Sequence, residues 1–77
     1  IQVLNITNGT RLETYVIKAP KGSREICING AAAHLINTGD LVILCTYVTV
    51  DYAEASKHTP TIIHVNNKNE IISSENI

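Results

Sequence analysis

The sequence has no tryptophan, no phenylalanine and no methionine, and its aromatic residues are three tyrosines. A core made without large rings has to be assembled from isoleucine, valine, leucine and alanine. With 77 residues the chain has room for one small domain, residues 1–77. A domain of that size with so little aromatic volume is marginal alone, so oligomerisation is expected. Charge of one sign is also missing: six Lys and Arg stand against seven Asp and Glu, interspersed along the chain. That balance argues against binding nucleic acid or a membrane surface, since both need a basic patch. There is no Cys-x-x-Cys and no dense His/Cys cluster, which speaks against a zinc site. No apolar run is long enough to span a bilayer, and no segment reads as a signal peptide. Cys27 and Cys45 both sit in apolar runs, which suits buried, reduced thiols of a cytoplasmic protein better than a disulfide. No Ser/His/Asp triad, phosphate-binding Walker loop or pair of catalytic carboxylates can be assembled. The chain opens on Ile1 rather than Met, and Ile1 already reads as the inside of a strand. We therefore expect natural sequence upstream of it.

What is present is mostly strand and turn. Ile1 to Ile6 alternates as a strand, and Asn8-Gly9 is a strong hairpin signal leading into a second strand from Arg11 to Ala19. A turn at Pro20 to Ser23 precedes a third strand, Ser23 to Ile28. A short helix follows, Gly30 to Ile36, with a stop at Gly39. Leu41 to Val50, LVILCTYVTV, is almost wholly apolar or β-branched and reads as a strand buried on both faces. Asp51 suits the cap of a helix reaching Lys57. Thr61 to Val65 and Glu70 to Ile72 read as paired strands around a polar turn, with Ser73 to Ile77 a frayed end. Strands separated by frequent turns predict a mainly β fold, a small barrel with short helices.

Two stretches could carry chemistry. In Ile28 to His34, INGAAAH, a strand turns sharply into a helix. Asn29 can cap that helix, Gly30 permits a backbone angle other residues resist, and the alanines leave the backbone bare. A bare helix start suits a carboxylate or phosphate, although an ordinary tightly packed corner has the same residues. In the second strand, Arg11, Glu13 and Tyr15 share one face, and Leu12, Thr14 and Val16 share the other. Arg11 and Tyr15 lie roughly 13 Å apart at about 3.3 Å per residue, within reach of one ligand through their long side chains. An Arg–Glu surface pair on a solvated strand accounts for the same pattern. His34, His58 and His64 are isolated, and Asp40 and Asp51 read as turn or cap residues.

The stretches NITNGTRLETYVI (Asn5 to Ile17), GSREICINGAAAH (Gly22 to His34) and GDLVIL (Gly39 to Leu44) closely resemble the pyruvoyl-dependent aspartate 1-decarboxylases. The resemblance covers about two-thirds of the chain well and is looser after Asp51. It implies a double-psi β-barrel, a homotetramer, and a precursor that cleaves itself so that a serine becomes an N-terminal pyruvoyl group. It implies an enzyme that converts L-aspartate to β-alanine and carbon dioxide through a Schiff base, for pantothenate biosynthesis. Tyr15 then matches the catalytic proton donor and Arg11 the residue gripping a substrate carboxylate. Thr14 matches a residue of self-cleavage and substrate binding. Asn29, Gly30, Ala31 and Ala32 match the substrate-binding corner. The pyruvoyl serine and the β chain belong upstream of Ile1, and Gly22-Ser23 is no substitute because it falls elsewhere in the family pattern. Leu4 and Leu12 stand where aromatics are common in the family. Thr14 and Tyr15 point to opposite faces, which implies a bulge, a backbone role for Thr14, or a site shared between subunits. A non-catalytic small β-barrel binding module is the competing reading of the residues.

Overall fold

The computed structural model of the chain describes residues 1–76. It is mainly β, with two antiparallel sheets, one 3-10 turn and one short α-helix. The chain divides into two compact units, one made of Ile1–Lys18 and Ile26–Val48, the other of Ala19–Glu25 and the chain from Thr49 onward.

In the first unit, β1 (Gln2–Asn5) lies between β2 (Arg11–Glu13) and β3 (Val42–Cys45), both antiparallel to it. Val3 faces Leu12 on one side and Leu44 on the other. Alternation along β1 puts Val3 and Asn5 inside, and these two, with Ile36, are the buried residues among those described. The Asn-Gly hairpin forms as expected: Asn5 N–H donates to the Thr10 carbonyl (2.8 Å) and Gly9 N–H to the Asn5 carbonyl (2.8 Å). Gly9 sits at φ +78°, a conformation that favours glycine.

Three expectations change here. The second strand is shorter than Arg11 to Ala19. Its ladder runs to Glu13 and continues by one exchange, in which Thr14 and Ile1 each bond the other's carbonyl at 3.0 Å. The expected strand Ser23 to Ile28 forms no ladder, and Arg24 interrupts it with a left-handed φ of +57°. The run Leu41 to Val50 is not buried on both faces. Its ladder is confined to Val42–Cys45, and Ile43 and Leu44 are each 45 % exposed. The reason is topological: among the described residues β3 is an edge strand, paired with β1 alone.

The second unit holds the hairpin of β4 (Thr61–Val65) and β5 (Ile71–Asn76) and the single turn α1 (Tyr52–Ala55). β4 has its expected limits, but β5 is longer than Glu70 to Ile72, so Ser73 to Asn76 are paired rather than frayed. Ile77 lies outside the described residues. Asn66 organises the turn, its Oδ1 accepting from the N–H groups of Lys68 (2.9 Å) and Glu70 (3.0 Å). Arg24 pairs with Glu70 at 3.1 Å, and Asn69 Nδ2 donates to the Arg24 carbonyl at 3.0 Å. Asp51 precedes α1 without a side-chain capping bond. Cys27 and Cys45 are free thiols, but Cys27 is exposed rather than buried, because its segment has no sheet to join.

Candidate active site

The corner that carries Asn29 to Ala32 is a 3-10 turn, Gly30–His34, shorter than the expected helix to Ile36. Gly30 has φ +63°, and a Cβ added there would meet nothing within 4 Å. The space above this backbone is therefore open. Asn29 flanks the turn in an extended conformation, and its side chain makes no capping bond, contrary to the expected cap. A single 3-10 turn also aligns too few peptide dipoles to act as a full α-helix start. What the corner offers is bare, accessible backbone with a free amide side chain beside it.

Arg11, Glu13 and Tyr15 are exposed, Tyr15 by 78 %, while Leu12 and Thr14 are half-buried. The alternation read from the sequence holds as far as Tyr15. The register between β1 and β2 is regular over Arg11–Glu13, where β2 ends. The Thr14 N–H and carbonyl are both engaged with Ile1, which leaves its hydroxyl as its free polar group. Among the described residues, no hydrogen bond within the chain joins Arg11, Thr14 or Tyr15 to Asn29, Gly30, Ala31 or Ala32.

The two stretches are instead tied through residues that the sequence reading passed over. The Leu35 carbonyl, just past the 3-10 turn, accepts from Asn8 Nδ2 (2.9 Å) and Asn5 Nδ2 (3.2 Å), and Thr10 Oγ1, 3.3 Å from it, gives its one hydrogen to Asn8 Oδ1 at 2.6 Å. Asn5 Nδ2 also donates to Asp40 Oδ2 at 2.8 Å, and Asn5 Oδ1 accepts from Thr7 N–H at 3.0 Å. Asp40 Oδ2 takes a second bond from the Asn37 N–H at 2.8 Å, and Thr7 Oγ1 accepts from the Leu41 N–H at 2.9 Å. The signal was available in the sequence, since an Asn inside a strand pattern must find partners when buried. Beyond the nearby Thr7 N–H, its partners Leu35 and Asp40 lie thirty and thirty-five residues away, and spacing does not reveal them.

The bond from the Asn37 N–H, with that from Asn5, holds the Asp40 carboxyl below its ordinary range. The depressed value sets the sign of its pH dependence. Asp40 stabilises the fold above the unfolded carboxylate range near pH ~3.9, and that contribution fades as pH falls through the lower, folded value. Asp40→Asn should therefore lower the thermal midpoint at neutral pH and flatten its decline in acid. A thermal melt series from pH 7 to pH 2 on both proteins checks this, and parallel acid limbs would exclude Asp40.

The remaining titratable groups make no second site. His64 meets Glu75 at 3.1 Å on the hairpin surface, and His34 and His58 are exposed. Among the described residues no cluster of His, Cys, Asp and Glu is fit to hold a metal ion. No helix among them is long and apolar enough to cross a membrane. A hollow lined by Thr49, Val50, Asp51, Glu54, Lys57 and His58 lies within the second unit, and no candidate residue lines it.

Residues 1–72 match the family model described as aspartate decarboxylase. A protein named aspartate 1-decarboxylase from Heliobacterium modesticaldum is 56 % identical over 73 residues, covering 95 % of this chain and 55 % of its own length. One of the same name from Corynebacterium efficiens is 53 % identical over 76 residues, covering 99 % and 56 %. Another from Campylobacter concisus is 54 % identical over 72 residues, covering 94 % and 61 %. The chain thus spans little more than half the length of these relatives. The match runs through the β1–β2 hairpin, the Asn29 corner and the Asp40 turn alike: the chain belongs to the aspartate decarboxylase family.

Proposed function

We propose that the chain is the larger part of a pyruvoyl-dependent aspartate 1-decarboxylase, a cytoplasmic carboxy-lyase that makes β-alanine and carbon dioxide from L-aspartate for pantothenate biosynthesis. The observation that carries this reading is the family match over residues 1–72. The pyruvoyl serine comes from the precursor upstream of Ile1, which cleaves itself to leave a β chain. Residues 1–77 are one domain of a double-psi barrel in a homotetramer. Many apolar side chains support partners of this kind: Val16, Ile17, Leu41 and Val48 are each more than 60 % exposed, and such surface is costly to leave in water.

When bound, the pyruvoyl ketone supplies the electron sink for decarboxylation. The corner fits such a group, because the open space over Gly30 and the small side chains of Ala31 and Ala32 admit a planar ligand against bare backbone. Arg11 presents an exposed guanidinium whose fork matches one carboxylate of the diacid. Asn29, with its side chain not spent on a cap, orients the substrate by hydrogen bonding. Tyr15 donates the proton that replaces the lost carboxylate. Thr14 contributes its hydroxyl. Thr14 is half-buried and Tyr15 exposed, which sets the two side chains apart within one chain, and the active site is shared between subunits.

The test is an intact mass measurement on the native product of the full gene. The expected result is two chains, the larger bearing an N-terminal pyruvoyl group, with β-alanine formed from aspartate. One uncleaved chain without that carbonyl, and no β-alanine, would overturn the reading.

A further inference from the structure

Asn8 and Thr10 lie outside the candidate site, yet Asn8 binds the Leu35 carbonyl, which ties the site's two stretches together, and Thr10 binds Asn8. The geometry points to a positioning role: Asn8, oriented by Thr10, grips the Leu35 carbonyl and so fixes the Asn29–Ala32 corner relative to the Arg11–Tyr15 strand. This inference rests on the decarboxylase reading.

The grip is directional. Leu35 N–H bonds back to the Ala32 carbonyl at 3.0 Å, so Leu35 moves with the corner. Thr10 immediately precedes Arg11, so it moves with the strand. A carbonyl oxygen has two lone pairs, and the Nδ2 groups of Asn8 and Asn5 fill them. Asn8 and Thr10 act as one unit, because Asn8 Oδ1 accepts from both the Thr10 N–H (3.0 Å) and the Thr10 hydroxyl (2.6 Å), whose one hydrogen is spent there and holds the Asn8 amide with its Nδ2 toward Leu35. Asn5 also holds Leu35, but it is buried and tied to Asp40 and Thr7, so its loss unsettles the whole unit. Asn8 is exposed and Thr10 half-buried, and altering them opens no core. A shift of the corner relative to Arg11 must break their bonds first. Misplacing a reacting group by about 1 Å can cost about 100-fold in rate.

Two near-isosteric variants separate positioning from turn formation. Thr10→Val removes the hydroxyl donor and keeps the shape. Asn8→Asp keeps an oxygen for the Thr10 N–H and Oγ1 but sets a carboxylate oxygen against the Leu35 carbonyl. In the full-length processed protein we expect Asn8→Asp to lower kcat/KM for aspartate, per pyruvoyl group, by about 10-fold to 100-fold. Thr10→Val should lower it several-fold, and Thr10→Ser, which restores the hydroxyl, should recover most of that loss. The thermal midpoint should move little in the threonine variants. An active parent whose two variants keep the parental kcat/KM per pyruvoyl group overturns this inference alone, as does a loss confined to folded yield. A parent without pyruvoyl and without β-alanine formation overturns the decarboxylase reading and this inference with it.

Discussion

Tyr15→Phe in the processed, assembled protein is expected to lower kcat by about 100-fold to 10,000-fold, the range of a positioned general acid. The side chain is 78 % exposed on its own strand, so removing one hydroxyl there disturbs no packing within the chain. The loss should therefore appear in turnover, with oligomer size and pyruvoyl content unchanged. Arg11→Ala makes the contrast. Its side chain is also exposed, but its proposed task is to bind a carboxylate, so the Kd for a non-reacting dicarboxylate should rise. Near-parental β-alanine production by Tyr15→Phe would remove the phenol from the reaction, and unchanged ligand affinity in Arg11→Ala would remove the guanidinium from the site.

Asn5→Ala is expected to destabilise the processed protein by about 3 kcal/mol, because the side chain is 2 % exposed and serves as both donor and acceptor. It donates to the Leu35 carbonyl and the Asp40 carboxylate and accepts from the Thr7 N–H. Alanine removes all three bonds and leaves the Thr7 N–H and one lobe of the carboxylate without their partners. Asn5→Asp should behave differently. At neutral pH it sets a second carboxylate against Asp40, and like charges at hydrogen-bond distance repel. In mild acid the pair can share one proton, so Asn5→Asp should regain part of its lost stability while Asn5→Ala should not. Melts of both variants at pH 7 and pH 5 decide it. Equal losses at both pH values would mean that Asn5 does not act through Asp40.

The contrast between Asn5 and Tyr15 shows where the sequence is informative. The Asn8-Gly9 turn, the limits of β4 and the alternation of Leu12 and Thr14 against Arg11 and Tyr15 all follow from local rules, and the structure has them. Local rules act over a few residues, and their information lies within those residues. The run from Leu41 to Val50 misled for the opposite reason. Its composition says that it prefers burial, but burial needs neighbours, and among the described residues β3 has only β1 beside it. The same holds for Cys27, whose apolar neighbours were expected to shelter it.

From sequence alone came the mainly β class, the family resemblance, the open glycine at residue 30 and the candidate residues themselves, because each depends on residue type and short-range spacing. Tertiary structure alone decided how the two candidate stretches are joined, through a buried asparagine and one shared carbonyl thirty residues further along. It also decided that Asn29 does not cap its turn and that Thr14 spends its backbone on Ile1. Those outcomes depend on which distant groups meet, and a hydrogen bond between distant residues exists only once the chain has brought them together.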